Sequence, residues 1–392
     1  MPRQIYLDNQ STTPMDPRVL ESMIPFYKEK FGNASSIHHN YGIESGDAVE
    51  KARKILAEYI HADSREIIFT SGATEGINLA IKGVGEKYEG KGHIITQVTE
   101  HNAVLDTCNT MESKGWEITR LSVDSLGIVN PKHIENAIND RTVLVSIMHA
   151  NNEIGSIQHI REIGEICKKH KILFFVDACQ SFGKLEINVK KMNINLLVST
   201  AHKLYGPKGI GLLYISQKNP KVALKMQIDG GGHERGYRSG TLPVPLIVGF
   251  GKAIEICHRS RRVENKRLKK LRDKLFDGIK NEHPDILING SIERRLVHNL
   301  NLCFPELDAE TIIMKMKGIA CSTGSACSSV NLEPSHVIRA IGRNNELAHS
   351  AIRFSVGRFT TDKEINEAIL SVNKVINEIK IKRMKRKNKL HN

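Results

Sequence analysis

The seven cysteines of this 392-residue chain form no CxxC pair, and no secretory signal precedes them. Such usage gives no disulfide framework, so a reducing compartment is the default expectation. No HExxH and no zinc-type cysteine spacing occur, which leaves no permanent metal site. Long apolar runs are missing too. The stretch that comes nearest, Leu242 to Cys257, contains Pro243, Pro245, Lys252 and Glu255 and cannot span a membrane. The N-terminus, MPRQIYLDNQ, has neither a basic-then-apolar signal nor an Arg/Ser-rich presequence. A cytoplasmic location is expected, or an organelle matrix if a leader has been cleaved. A Walker GxxxxGK[ST] is absent and no GxGxxG follows a strand, so a nucleotide phosphate is not the expected ligand.

What is present is a length that favours two domains and a net charge of +14 that is unevenly placed. Residues 380–392 hold seven Lys/Arg and no acid, and Arg259 to Lys274 hold nine against Glu264 and Asp273. The second run has helical spacing and reads as a solvated helix face. The first reads as a disordered, solubilising tail. RNA or an anionic partner is the lesser reading, and direct nucleic-acid binding is not expected.

Between about residues 65 and 215, short apolar runs alternate with amphipathic stretches. Strands are expected at Glu66–Phe69, His93–Val98, Glu117–Val123, Val143–Met148, Ile172–Val176, Ile194–Ser199 and Ile210–Ile215. Helical patterns lie between them, as in Ile160–His170. This rhythm means βαβ units and a largely parallel sheet, whose ligands bind beyond the C-terminal strand ends. After about residue 245 a long helix to Asn281 leads into a strand-poor region, with strands at Leu296–Phe304, near Ile319 and at Ile352–Val356, and a last helix from Asp362 to about Lys380. The expected division is a large α/β domain over 15–250, a smaller α+β domain over 1–14 and 251–379, and the tail.

The strand ends carry the chemistry. Asp177 follows ILFFV directly, and Lys203 follows INLLVS within four residues. A lysine that forms a Schiff base and an aspartate that holds a pyridinium nitrogen are the two protein groups pyridoxal phosphate demands. Alone, the pair is equally compatible with a helix cap and a loop lysine. The run Phe69-Thr70-Ser71-Gly72-Ala73-Thr74-Glu75 ends a strand and opens a helix, which suits an anion cradle or an ordinary N-cap.

Nine motifs, in order, resemble the group I cysteine desulfurases, the NifS/IscS-like enzymes of the aminotransferase-like fold-type I pyridoxal-phosphate class. They are LDNQSTTP (7–14), TSGATEG (70–76), TEHNAVLDTC (99–108), NNEIG (151–155), VDACQSFGK (176–184), AHKLYGPKGIG (201–211), GGGHERGYRSGTLP (230–243), STGSACSS (322–329) and RFSVGRFTT (353–361). The resemblance implies a homodimer that takes sulfur from L-cysteine, releases L-alanine and leaves a persulfide on an enzyme cysteine. That sulfur would pass to an iron–sulfur scaffold protein or another acceptor, such as one serving tRNA thiolation.

By the same resemblance, Lys203 matches the Schiff-base lysine, Asp177 the pyridinium partner and His101 the imidazole that stacks on the ring and moves protons. Gln180 would reach the phenolic oxygen, with Asn151 supporting that edge. Ala73, Thr74, Thr200 and His202 match phosphate contacts, and Thr241 would reach the phosphate of the neighbouring subunit. Arg353 and Asn33 match the group holding the substrate carboxylate. The residue types fit: a carboxylate raises the pKa of a ring nitrogen, imidazole titrates in the working range, and a planar guanidinium grips a carboxylate.

Cys327 stands in a run of small polar residues before a helical stretch, as an exposed loop thiol should. The resemblance makes it the persulfide-forming nucleophile and a transient iron–sulfur contact during handover. An aminotransferase, or a selenocysteine lyase, is the nearest alternative of the same cofactor class, and an aminotransferase has no use for this thiol. Cys108, Cys167, Cys179, Cys257 and Cys303 read as buried filler, and Cys321 as a small strand-end residue rather than a disulfide partner. Ile37 stands where relatives tend to be polar or basic. Relatives commonly end in an apolar, Trp-containing segment that docks the scaffold, whereas the only tryptophan here is Trp116.

Overall fold

The computed structural model describes residues 4–88, 92–218, 220–323 and 333–390. All seven expected central strands form one sheet. They are β2 (Ile67–Thr70), β3 (His93–Gln97), β4 (Glu117–Leu121), β5 (Thr142–Ser146), β6 (Leu173–Asp177), β7 (Leu196–Thr200) and β8 (Gly211–Ile215), following a short β1 (Ile5–Tyr6). Their order is β2-β8-β7-β6-β5-β3-β4. The pairs from β7 to β4 are parallel, while β8 runs antiparallel to both of its neighbours. The direction of β8 follows from its connection. Residues 201–210 are too few for the crossover that a parallel return would need.

Continuous apolar strands follow from coverage on both faces. In β6, Phe174 and Val176 point into one core, shared with Leu56, Ile247 and Phe250, while Leu173 and Phe175 point into the other, shared with Ile77, Val84 and Val104. Gly76 shows how closely the helix Ala73–Lys87 lies on the sheet: a Cβ there would come within 2.6 Å of Val198 Cγ2.

The chain then enters a helix from Val244 to Lys280, about 55 Å long at 1.5 Å per residue. Its first half, through Cys257, packs in the core beneath the sheet. Leu268, Leu271, Leu275 and Ile279 pack in a second core with Leu302, Phe354 and Ile376. A boundary at residue 250 therefore falls inside one helix, and Ala253 to Cys257 stay with the large core. Beyond lie β9 (Leu287–Ile288), β10 (Asn299–Cys303), β11 (Ile319–Ala320) and β12 (Ala351–Ser355). Strands β12, β10 and β9 form an antiparallel sheet, and the N-terminal β1 pairs with β11. The last helix runs from Asp362 through Leu390. The basic segment expected to be disordered thus continues as helix to Leu390. Lys380 anchors its beginning on Asp285 at 3.0 Å, and charge alone does not stop a helix already propagating from a packed stem.

Candidate active site

Strands β3, β5, β6 and β7 are parallel, so the residues that follow them gather at one edge of the sheet. A cavity of about 480 Å³ opens there, within the range of cofactor sites. Its wall includes Ala73, Thr74, His101, Asp177, Gln180, Thr200, His202 and Lys203, eight of the residues singled out from the sequence. Asp177 is the last residue of β6. It is buried, and its Oδ1 accepts from Cys179 N at 2.9 Å. Lys203 closes the 3₁₀ turn Ala201–Lys203 directly after β7, the next strand, so strand adjacency brings the two together.

The N-terminal segment stitches the lysine turn down. The carbonyl of His202 accepts from Thr13 N at 2.9 Å and Thr13 Oγ1 at 2.8 Å, and Thr13 Oγ1 accepts from Tyr205 N. Burial, Lys203, Lys208 and Lys184 push the His202 imidazole down to about 4, so it is neutral near pH 7. Across the cavity, the N-cap of the helix Ala73–Lys87 is Gly72, which offers no side chain to the first turn. The N–H groups there remain available to an anion. Thr200 Oγ1 donates to Ile210 O at 3.2 Å.

His101 caps its own helix, its Nδ1 accepting from Ala103 N at 3.1 Å. Burial, then Lys203, lowers its pKa, so the ring is neutral and carries its proton on Nε2. Gln180 donates one amide hydrogen to Gln10 O at 3.0 Å and keeps the other. Asn151 does not line the cavity. Its amide donates to Thr99 O and accepts from Glu153 N and Ile154 N, so its side chain is spent on the backbone beside it.

Arg353, on β12, is 3% exposed. It donates to Asn152 O at 2.7 Å, Ser11 Oγ at 2.6 Å, Asp8 Oδ1 at 2.8 Å and Ser322 Oγ at 2.9 Å, while its Nε is buried without a partner. Asn152 and Ser11 both line the cavity, so the guanidinium lies directly behind its wall. Thr241, Asn33 and Ile37 are exposed and line no part of this cavity in their own chain. Cys327 lies outside the described residues. Cys321 is half-buried, and burial with Asp8 nearby pushes its thiol up to about 12.

Ser11, Thr12 and Asn152 also form the wall, although only their motifs, not their roles, stood out in the sequence. Glu100 is a further surprise. Fully buried, it accepts on Oε1 from Met148 N at 2.6 Å and Gln97 Nε2 at 2.8 Å, and its Oε2 has no partner. Desolvation, reinforced by Asp177, raises it to about 8. The folded state therefore holds a proton that the unfolded state releases near pH 4.5, and stability falls as pH rises from there to about 8. The slope approaches ~1.4 kcal/mol per pH unit from this one group. Denaturant melts of Glu100→Gln are expected to show a flatter pH dependence across that window. An unchanged slope would mean that Glu100 is ionised in the fold.

The donor set fits pyridoxal phosphate. A lysine amine, a buried carboxylate on the adjacent strand, an imidazole and an uncapped helix start converge on one cavity large enough for the group. Among the described residues no cluster of His, Cys, Asp and Glu could hold a metal ion, and no helix is long and apolar enough to cross a membrane. The family model for class-V aminotransferases matches residues 5–367. The chain is 52% identical over 379 residues to the cysteine desulfurase IscS of Pasteurella multocida, covering 96% of this chain and 93% of that one. It is 53% identical over 368 residues to the protein of that name from Tolumonas auensis, covering 93% and 91%. Among solved structures, a NifS-like protein superposes with a TM-score of 0.89 at 38% identity, covering 95% of this chain and 99% of that one. SspA in complex with cysteine superposes with a TM-score of 0.80 at 38% identity, covering 91% and 100%. Motif order, strand-end geometry and near-full-length similarity agree: the chain belongs to the class-V aminotransferase family and, within it, to the NifS/IscS-like cysteine desulfurases.

Proposed function

We propose that the chain is a pyridoxal-phosphate-dependent cysteine desulfurase. It takes sulfur from L-cysteine, releases L-alanine and leaves a persulfide on Cys327. The observation that carries this reading is the convergence of Lys203, Asp177 and an uncapped helix start on one cavity. The atoms balance without an external oxidant. The Cβ–S bond of the substrate breaks, its sulfur bonds to the Cys327 sulfur, and the one hydrogen that the two thiols give up in forming the persulfide ends on Cβ to make alanine.

Pyridoxal phosphate supplies an electron sink for the amino-acid skeleton. Lys203 holds it covalently, and Asp177, buried at 5% exposure, keeps the ring nitrogen protonated. Ala73, Thr74, Thr200 and His202 hold the phosphate end, and Gln180 turns its remaining amide hydrogen to the phenolic oxygen. His101 exchanges protons at Nε2, the nitrogen left by the bond from Ala103 N. Arg353, with Nε still unpartnered, receives the substrate carboxylate together with Asn33.

A homodimer accounts for the residues left outside the cavity. Thr241 completes the neighbour's phosphate site, and Tyr27, Phe31, Ile37, Tyr41 and Ile43, all exposed on one chain, supply apolar surface for the contact. Sedimentation should give twice the mass of one chain, and a monomeric mass would remove Thr241 from the site. Sulfur then passes to an iron–sulfur scaffold or another sulfur-accepting protein in the cytoplasm, where thiols such as the six described, unpaired cysteines stay reduced.

Purified protein supplied with L-cysteine and a thiol reductant tests the activity. Alanine and sulfide should appear in equal amounts. A keto acid formed without sulfide, and sustained only when a second keto acid is added as amino acceptor, would identify an aminotransferase instead.

A further inference from the structure

We propose that His336 is a positioning residue for His101, holding the peptide bond through which His101 joins the end of β3. The inference rests on the reading of His101 as the proton-transfer group. His336 opens the short helix His336–Ala340, nine residues after Cys327 in the chain. That helix start is fixed from below. Ser335 Oγ donates to Glu153 Oε2 at 2.6 Å and accepts from Ile338 N at 3.2 Å. Glu153 is buried in the NNEIG turn, where its carbonyl accepts from Asn299 Nδ2 and Asn301 Nδ2. A carboxylate thus pins the helix cap to the turn beside the cavity.

From this fixed point, His336 Nε2 lies 3.0 Å from the carbonyl oxygen of Glu100. A carbonyl can only accept, so Nε2 carries the hydrogen and donates it. The Glu100 carbonyl belongs to the peptide unit that ends in the His101 nitrogen. The preceding carbonyl, of Thr99, accepts from Asn151 Nδ2 at 2.9 Å, and the Glu100 side chain accepts from Met148 N at 2.6 Å. Three bonds therefore fix the backbone leading into His101, whose ring is then oriented by Ala103 N. Of the three, only the His336 bond comes from beyond the Cys327 segment, so one side chain joins the chain downstream of the nucleophile to the proton-transfer group.

His336→Ala and His336→Gln test the hydrogen bond, because the Gln amide can still donate to Glu100 O. In the holoenzyme, with cofactor content and thermal midpoint measured alongside, His336→Ala should lower kcat for alanine formation about tenfold with KM for cysteine unchanged. His336→Gln should stay within about twofold of the parent. Carbon-13 histidine NMR, with the His101 signal assigned by its own replacement, should show that signal moved in His336→Ala and restored in His336→Gln. A His336→Ala enzyme within twofold of the parent, or a His336→Gln enzyme as slow as His336→Ala, overturns the proposal. If the parent itself does not turn over cysteine, the functional reading fails. The His101 signal still decides the positioning, and a signal unmoved in His336→Ala overturns it.

Discussion

Lys203→Ala should lose turnover by at least ~10³-fold and lose the covalent bond to the cofactor that borohydride fixes in the parent enzyme. The size of the effect follows from the walls of the cavity. Lys203 sits directly after β7, next to the strand that ends in Asp177, so its amine and the carboxylate share the wall of one cavity. Lys208 is the other lysine on that wall, and it stands exposed, on the far side of the turn that follows. The Nζ of Lys184 is buried and unpartnered, but the residue lines a separate cavity of about 20 Å³, too small for a cofactor. Burial pushes it down to about 7, which would make it reactive if it could be reached. Peptide mapping after reduction distinguishes these cases. Label on Lys208 or Lys184 in the variant, with turnover retained, would move the role.

Cys327→Ser should bind cofactor and cysteine as the parent does, yet lower alanine formation by at least ~100-fold. A serine hydroxyl is not ionised near neutral pH and attacks sulfur poorly, whereas a thiolate is the competent nucleophile. The described cysteines offer no substitute. Cys179 is the one on the cavity wall, and burial followed by the Asp177 charge drives its thiol well above the ordinary range. Burial, with Asp8 nearby, pushes Cys321 up to about 12. Absorbance changes on adding cysteine, alongside alanine release, check both halves of the expectation. Parent-like alanine formation would transfer the nucleophile's role elsewhere.

The parallel sheet was legible because its strands are buried on both faces and therefore read as unbroken apolar runs, LFFVD and LLVST among them. Asp177, Lys203 and His101 were legible because they interrupt those runs at the ends where parallel sheets bind ligands. Other features depend on contacts between distant parts of the chain. Ser11 and Thr12 reach the cavity only because β1 pairs with β11 and Thr13 bonds to the His202 carbonyl, some 190 residues away in sequence. Glu100 stands beside His101 with no role assigned to it from the sequence. Its raised proton affinity comes from complete burial beside Asp177, which no local spacing reveals. The basic end was misjudged from composition, since the helix from Asp362 already had a packed stem with Val372 and Ile376 in the core. Thr241 and Asn33, exposed in one chain, acquire a role only if a second copy is counted.

The central claim is that sulfur leaves cysteine by way of Cys327. Enzyme mixed with one equivalent of L-cysteine, without reductant, and digested under acid for peptide mass mapping tests it most directly. The account predicts one equivalent of alanine and a Cys327 peptide heavier by one sulfur atom, with the Cys179 and Cys321 peptides unchanged. Alanine formed while the added sulfur sits on another cysteine, or on none, would contradict it.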